Sequence, residues 1–400
     1  MHRRQLQTGK PLPPAQKLQQ GRAVLAARHG HRDALARCEQ LIQPVGPGDA
    51  FQEIKGQAVR ILPAGFVPHM LASPPVIGRA RYNKMAHGRR QIGAKSGCPP
   101  PAPVLYLVHR QTAAKEQCPM LITNGTLITM DPGRPLIADG ALRIAGDRIT
   151  DIGNSAELAA RYPHDEALDA GGMLVLPGFI CVHTHFYGAL SRGIPPRGIE
   201  PPADLRARLE NLWWRLDKAL RPEDIRSSVE VCLVDAIRHG TTTLIDHHAS
   251  PRCIDGILDL IAEITSQAGV RACLCYEVSD RDGPEAAAAG IRENARFIRR
   301  CQTNPSPLLA GLMGLHASFT LSDKTLQEAV ETARGLGAGC HIHAAEGKVD
   351  VSETLRRTGK RVLERLQAAG VLGPKTIAAH CVHIDDFEVD ILRETHTMVA

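Results

Sequence analysis

The sequence predicts an α/β fold for residues 173–400, on three observations. Strand-like runs alternate with helical patterns, the strands are apolar throughout, and histidines recur where the strands end. Continuously apolar strands separated by helices are typical of a parallel sheet that is covered by helices. Six such units with polar strand ends favour a TIM-like (β/α)8 barrel, because active sites of that fold lie at this end. A doubly wound open sheet is the alternative, but no glycine phosphate loop follows the first strand.

The predicted strands are 173–185, 241–248, 270–278, 308–318, 337–346 and 376–383. Amphipathic helices fall between them, and the clearest apolar stripe consists of Leu205, Leu209, Leu212, Trp213, Leu216 and Leu220. Residues 395–400 begin a seventh strand, whereas a closed barrel needs about eight. We therefore expect a barrel over 173–400 that is C-terminally incomplete, as in a fragment.

Residues 120–172 differ from this region because their apolar runs are short. Asn-Gly, Asp-Pro-Gly and Ala-Gly-Asp separate runs of Leu, Ile and Thr. Turn residues at this spacing indicate the hairpins of a small antiparallel sheet. Ser155 is the predicted N-cap of a short helix that follows. We therefore predict a small β domain over residues 120–172.

Residues 1–119 carry the positive charge of the chain. They hold 18 Lys and Arg against 5 Asp and Glu, whereas the remaining residues hold 30 against 37. This segment is rich in Pro and Gln and lacks a sustained apolar period, which favours a disordered extension, or upstream sequence that is not genuine, with Met120 as the true start. A basic arm that binds nucleic acid is the less favoured interpretation.

Composition excludes several other classes. The chain is 43% hydrophobic and 22% charged, and it contains no run of 18 apolar residues that could span a membrane. No apolar signal core follows the charged N-terminus, so secretion is not indicated. The 11 cysteines are scattered and mostly lie in apolar runs, which is typical of reduced thiols in a cytoplasmic protein.

Histidines at the strand ends indicate a metal site. His183 and His185 stand one residue apart, as do His341 and His343, and residues at i and i+2 of a strand share a face. Two imidazoles of one strand can therefore bind the same cation. Glu346 follows the second pair, and a carboxylate beside a metal-bound water suits metal-assisted hydrolysis. His247 and His248 are adjacent, so at most one of them faces the same site.

Several segments resemble a known family. "LPGFICVHTH" (176–185) after a small β domain resembles the metal-dependent amidohydrolase superfamily. "HIHAAE" (341–346) and "TIAAHCVH" (376–383) are similar to its cytosine-deaminase-like and chlorohydrolase-like branch. "HTHFYGALSRGI", "NLWWRLDKAL" and "IDHHASP" resemble the SsnA-type aminohydrolases most closely. The resemblance extends from about Met120 to Ala400.

This resemblance implies both the fold and the site. Residues 120–172 would form the N-terminal part of a composite β-sandwich domain, and residues 173–400 a metal-dependent hydrolase barrel. The implied metal ligands are His183, His185 and His343, and the implied catalytic residues are Glu346 and His380. The family's fourth ligand is an aspartate at the end of strand eight, which the sequence does not reach.

The resemblance also bears on metal number and on substrate contacts. Binuclear members use a carboxylated lysine at the end of strand four, where this sequence has no lysine and carries His316. We therefore expect one divalent metal, zinc or iron. His316 is then either a substrate contact or a cap of its strand. Tyr187 and Arg192 are candidate substrate contacts, whereas Trp213 and Trp214 favour helix packing.

The predicted function is hydrolysis of a carbon–nitrogen bond that is not a peptide bond, in a small-molecule substrate. The expected activity is that of a deaminase or aminohydrolase of a nitrogen heterocycle. Glu346 would pass a proton to the departing amine, and His380 would stabilise the attacking water and the developing charge. The competing prediction is a truncated, non-catalytic remnant of such an enzyme. A homo-oligomer stays open as an alternative, because the sequence identifies neither the oligomeric state nor the substrate.

Overall fold

The computed structural model describes residues 118–193 and 202–400 in full. Before residue 118 it describes only the backbone of four short strands, β1 (Ala23–Gly30), β2 (Phe51–Ile54), β3 (Gln57–Leu62) and β4 (Val104–Arg110). Apart from those strands and residues 118 and 119, the segment 1–119 is outside the described residues. The expectations stated for that segment therefore fall outside them too. Beyond residue 117 the chain divides into two compact units, one ending at Pro177 and one beginning at Gly178.

The first unit is a small sheet with one helix. Its elements are β5 (Met120–Ile128), β6 (Leu136–Ala145), β7 (Arg148–Asn154), α1 (Ser155–Arg161), β8 (Glu166–Asp169) and β9 (Leu174–Val175). Strands β5, β6 and β7 are antiparallel neighbours, as the hairpin signals predict, while β8 and β9 pair with β5 in parallel. Its core includes Ile122, Leu127 and Leu142.

The N-cap of α1 corrects one prediction. The capping side chain belongs to Asn154, whose Oδ1 accepts a hydrogen bond from the backbone N–H of Ala156 at 3.0 Å. Ser155 is instead the first helical residue. Its hydroxyl donates to the carbonyl of Asp139 and accepts from the N–H of Asn124, so it ties two strands rather than the helix end.

Over residues 178–193 and 202–400 the second unit has eight strands: β10 (Phe179–Thr184), β11 (Thr241–His248), β12 (Arg271–Tyr276), β13 (Leu309–Gly311), β14 (Met313–Ala317), β15 (Cys340–Ala344), β16 (Ile377–His380) and β17 (Met398–Val399). Strands β10 to β13 form one parallel sheet in chain order, and β14 to β17 form another. Parallel pairing in chain order, with helices between, is the predicted α/β pattern.

The two sheets join at the end of β12. The N–H of Val278 donates to the carbonyl of Gly314 at 3.1 Å, and the N–H of His316 donates to the carbonyl of Val278 at 2.9 Å. Gly314 permits this approach, because a Cβ atom there would lie 2.2 Å from the carbonyl oxygen of Tyr276. The predicted strand 308–318 is therefore two strands, each paired to a different neighbour.

Helices connect the strands of the second unit. They are α2 (Leu205–Arg208), α3 (Trp214–Ala219), α4 (Pro222–Arg238), α5 (Ile257–Ala268), α6 (Pro284–Thr303), α7 (Asp323–Gly335), α8 (Lys348–Thr358), α9 (Val362–Ala368) and α10 (Asp386–Thr395). A π-helical turn, Leu209–Trp213, joins α2 to α3. The packed side chains form two large clusters, one around Leu274 and one around Leu315, and a small one around Phe319. None of the helices in the described ranges is long and apolar enough to cross a membrane.

The predicted strand 173–185 also proves to be two strands. Strand β9 belongs to the first unit and β10 to the second, with Pro177 and Gly178 between them. Proline has no N–H with which to continue a strand ladder, so the pairing ends there. This break places His183 near the carboxyl end of the first strand of the second unit, beside the ends of β11, β15 and β16.

Candidate metal centre

A cavity of about 480 Å³ lies at the carboxyl ends of these parallel strands. Its polar lining includes the predicted metal ligands His183, His185 and His343 and the predicted catalytic pair Glu346 and His380. Two predicted substrate contacts, His316 and Tyr187, also line it, as does Glu277, which was not predicted. Because parallel strands present their carboxyl ends at one edge, residues far apart in sequence meet here.

Three imidazoles converge in this cavity with their outer nitrogens already bonded. The Nδ1–H of His185 donates to the carbonyl of His247 at 2.6 Å, and the Nδ1–H of His343 donates to the carbonyl of His316 at 2.8 Å. Nδ1 of His183 lies 2.9 Å from Nε2 of His341. The remaining nitrogen of each ring, Nε2, is therefore the one available to a ligand.

The geometry of these nitrogens fits a cation. A carbonyl can only accept, so Nδ1 of His185 and of His343 carries the proton and each Nε2 carries a lone pair. These two Nε2 atoms lie 3.3 Å apart, and Nε2 of His183 is buried without a partner. Converging lone pairs repel one another unless a positive charge lies between them. One ligand atom from each of these three residues lies within 4.8 Å of the others, as a shared metal ion requires.

Burial keeps these ligands in the neutral form that binds metal. Burial, together with the neighbouring His247, lowers the pKa of His183 to about 2 and that of His185 to about 4. Burial likewise holds the pKa of His343 well below 6.5. The three imidazoles are therefore unprotonated at neutral pH, ready to bind a cation without losing a proton.

The residues around the ligands hold their orientation. His341 bonds His183, and Nε2 of His247 lies 3.1 Å and 3.2 Å from the carbonyl oxygens of Leu315 and His341. Of the adjacent pair on β11, His247 faces the cluster, while Nε2 of His248 lies 3.0 Å from the Ser250 hydroxyl. Such partners fix the tautomer and the ring plane of metal-binding histidines.

A second trio, His247, Glu277 and His343, also offers ligand atoms within 4.8 Å of one another. It shares His343 with the first trio. Its two histidines already use ring nitrogens for carbonyl oxygens, His247 through Nε2 and His343 through Nδ1. Nδ1 of His247 is buried without a hydrogen-bond partner, so each ring of either trio keeps one free nitrogen, and the first trio differs in offering three imidazoles rather than two imidazoles and a carboxylate.

Glu346 and His380 stand at the solvent-accessible side of the cluster. Oε2 of Glu346 lies 3.6 Å from Nε2 of His380, and the ring of His380 stacks on that of His343 with centroids 5.5 Å apart. The backbone around them is left-handed, with φ of +49° at Ala345 and +76° at His380. Left-handed backbone at non-glycine residues is uncommon and clusters at functional sites. The predicted catalytic pair thus lies beside the predicted ligands.

The predicted substrate contacts divide in two groups. His316 and Tyr187 are buried in the cavity wall, with Tyr187 edge-on to His185 at 5.6 Å between ring centroids. Arg192 does not line the cavity: it is exposed, and its Nε donates to the carbonyl of Ala189 at 3.3 Å. Trp213 and Trp214 line the cavity and also pack against the cluster around Phe319.

Sequence reasoning missed Glu277 and assigned no role to His341. Glu277 follows "VRACLCY" as an ordinary strand-end residue, and no spacing motif marks it. The sequence predicts that His341 shares a face with His343. It does not predict the contact of His341 with His183, because the two residues are 158 positions apart in the chain. A polar residue at the end of each successive strand is the one signal that points to Glu277.

Comparison with known proteins identifies the family of this chain. A model described as "Amidohydrolase family" matches residues 174–400, and one described as an imidazolonepropionase-like composite domain of bacteria matches residues 140–164. A 5-methylthioadenosine/S-adenosylhomocysteine deaminase of Pelotomaculum thermopropionicum is 29% identical over 281 residues, which are 70% of this chain and 62% of that protein. A 5'-deoxyadenosine deaminase of Methanosarcina mazei is 32% identical over 282 residues, 70% of this chain and 61% of that protein. The chain thus spans about six tenths of the length of these relatives.

Solved structures share the fold. An adenosine deaminase from Xanthomonas campestris with bound zinc aligns with a TM-score of 0.59 at 21% identity, covering 70% of this chain and 62% of that chain. A guanine deaminase from C. acetobutylicum with bound guanine aligns with a TM-score of 0.62 at 16% identity, covering 70% and 67%. The family model spans more than half of the chain and contains every histidine of the cluster, so this chain belongs to the amidohydrolase family.

Proposed function

We propose that this chain is a metal-dependent hydrolase of carbon–nitrogen bonds other than peptide bonds, acting as a deaminase of a nitrogen heterocycle. The observation that carries the proposal is the convergence of three free Nε2 atoms beside the Glu346–His380 pair in one cavity. The relatives named as deaminases of adenosine derivatives support the reaction class.

One divalent metal, zinc or iron, would be held by His183, His185 and His343. Imidazole is a ligand that suits both metals. When bound, such a cation acidifies a water molecule so that it can attack at neutral pH. His316 and Tyr187 would contact the substrate from the cavity wall, and Arg192 would act only if its loop approached the cavity.

Glu346 and His380 would move the protons. The Glu346 carboxylate would take a proton from the attacking water and deliver it to the departing amine, because a neutral amine leaves far more readily than its anion. His380 would orient the water and stabilise the charge that develops at the attacked carbon. Both side chains are about one third exposed, at 33% and 31%, so a ligand in the cavity can reach them.

The domain organisation is part of this proposal. Parallel pairing in chain order within β10–β13 and within β14–β17 supports a (β/α)8 barrel, which begins at Gly178 rather than at the predicted residue 173. The composite-domain match at 140–164 supports a composite β-sandwich domain that includes residues 120–172.

The test is the Glu346→Gln variant, assayed for ammonia release from a panel of aminopurines and aminopyrimidines after loading with zinc or with ferrous iron. We expect kcat to fall by about 10²- to 10⁴-fold, the usual contribution of a general acid–base residue, with metal content unchanged. Glu328→Gln, which changes an exposed glutamate of α7, is the matched control.

Two results would overturn the proposal in separate ways. Near-normal turnover by Glu346→Gln would remove the proton-transfer role of that residue. No ammonia from any heterocycle, with stoichiometric metal bound, would remove the deaminase activity itself. Elemental analysis of the purified protein distinguishes zinc from iron.

A further inference from the structure

Glu277 is a buried carboxylate that lines the cavity and takes no part in the proposed chemistry. It follows β12 directly, is only 6% exposed, and stands on a different strand from Glu346 and His380. Its backbone is fixed, since its N–H donates to the carbonyl of His248 at 2.7 Å. A carboxylate in this position is costly to bury unless its oxygens receive hydrogen bonds.

The protein satisfies this carboxylate only in part. Oε2 lies 3.4 Å from Nδ1 of His247, while Oε1 lies 3.7 Å from a guanidinium nitrogen of Arg281 and 3.9 Å from Nε2 of His316. The same guanidinium nitrogen lies only 2.5 Å from Oδ2 of Asp217, so Arg281 is primarily the partner of Asp217. A carboxylate offers about four acceptor positions, and the contacts to Oε1 are too long to be hydrogen bonds.

The neighbouring cavity wall is aromatic. Trp214 lies edge-on to His316, with ring centroids 6.1 Å apart, and both residues line the cavity. The indole N–H of Trp214 is buried without a hydrogen-bond partner. Aromatic walls with a few polar groups are typical of sites that orient a heterocycle.

We propose, on the basis of the deaminase function argued above, that Glu277 is the residue that selects the substrate. Oε1 accepts a hydrogen bond from an N–H group on the edge of the ring that is not hydrolysed. His316 and Trp214 pack beside that edge. The substrate class is therefore a nitrogen heterocycle with a second amino group or ring N–H, in addition to the amine that leaves.

Paired compounds that differ by one donor test this assignment on the full chain. The pairs are 9-methyl-2,6-diaminopurine with 9-methyladenine, whose ring nitrogens carry no hydrogen, and 2,4-diaminopyrimidine with 4-aminopyrimidine. We expect kcat/KM to favour the donor-bearing member by at least about tenfold, because a hydrogen bond to a charged group is lost with the other. Glu277→Gln should reduce this ratio to within about threefold, mainly through KM.

The matched control is Glu293→Gln. Glu293 is another buried carboxylate, but its oxygens accept from the N–H groups of Gly256 and Leu258, outside the cavity. It should leave the ratio unchanged. If Glu277→Gln does not fold, Glu277→Asp keeps the charge while shortening its reach, and it should lower the ratio to an intermediate value.

Failure of this inference is distinguishable from failure of the proposed function. If ammonia is released but Glu277→Gln discriminates as the wild type does, or the wild type has no preference, Glu277 does not select the substrate. If no compound is hydrolysed, calorimetric binding of 2,4-diaminopyrimidine and of 4-aminopyrimidine to the zinc-loaded chain replaces kcat/KM. A preference that Glu277→Gln abolishes would support the inference, whereas equal binding, no binding, or an unaltered preference would overturn it.

Discussion

At the scale of single residues, the site depends on which nitrogen of each histidine is occupied. Backbone carbonyls hold Nδ1 of His185 and His343, whereas the side chain of His341 lies against Nδ1 of His183. A backbone partner is fixed by the strand itself, but a side-chain partner can be removed by mutation. His341 is therefore the accessible point at which to test whether orientation of the ligands matters.

His341→Gln should weaken zinc binding by about 10- to 100-fold, the usual effect of removing a partner of a metal-binding histidine. Competition with a chromophoric chelator measures the dissociation constant, and His239→Gln on the exposed end of α4 is the control. An unchanged zinc affinity in His341→Gln would mean that His183 needs no side-chain partner to bind metal.

At the scale of elements, one helix holds two of the turns that shape the cavity. Oδ2 of Asp350, on α8, accepts from the N–H of Ala345 at 2.8 Å, and Oδ1 accepts from the N–H of Phe319 at 3.2 Å. Ala345 is the left-handed residue directly before Glu346, and Phe319 follows β14. Asp350 thus connects the ends of two neighbouring strands.

Asp350→Ala should destabilise the fold by about 1–3 kcal/mol, because it leaves two buried N–H groups without acceptors. It should also lower kcat, since the turn before Glu346 loses its support. Asp350→Asn keeps an acceptor oxygen, so its losses of stability and of kcat should be smaller than those of Asp350→Ala. Urea unfolding and ammonia release measure the two effects, and equal stability of Asp350→Ala and wild type would contradict this role.

At the scale of the whole molecule, the clustered histidines make stability depend on pH. Burial lowers the pKa of His316 and His185 to about 4 and that of His248 to about 3, from 6.5 in the unfolded chain. At a pH between about 4 and 6.5, the folded state therefore binds fewer protons than the unfolded state. The stabilisation is complete above pH 6.5 and is lost as the pH falls towards 4.

The free energy of unfolding should accordingly fall between about pH 7 and pH 5, measured by urea titration with a chelator present. His248 does not line the cavity, so His248→Gln isolates one titrating group. The free energy of unfolding of this variant should change with pH less steeply than that of the wild type, by up to about 1.4 kcal/mol per pH unit. This is the value for one proton. A wild-type stability that does not change over this range would refute the argument.

Much of the second unit was predictable from the sequence. Each of the six predicted strands contains a described strand, and the family that the motifs resemble is confirmed by the family match. The errors were local and had local causes. Residues 173–185 and residues 308–318 were each predicted to form a single strand. Apolar composition does not show that the strand pairs with a different neighbour partway along. Ser155 was predicted as a helix cap because its actual hydrogen-bond partners, Asn124 and Asp139, lie on other strands, where a local sequence pattern does not show them.

The sequence by itself determined the residue types and spacings that a metal site requires. His183 and His185 alternate on one strand, as do His341 and His343, and alternation is a local property of the chain. Only the tertiary structure decided which nitrogens are free, that His341 bonds His183 across 158 residues, and that Glu277 enters the same cavity. The physical reason is that hydrogen-bond partners and burial arise where separate strand ends meet, which no local pattern in the chain records.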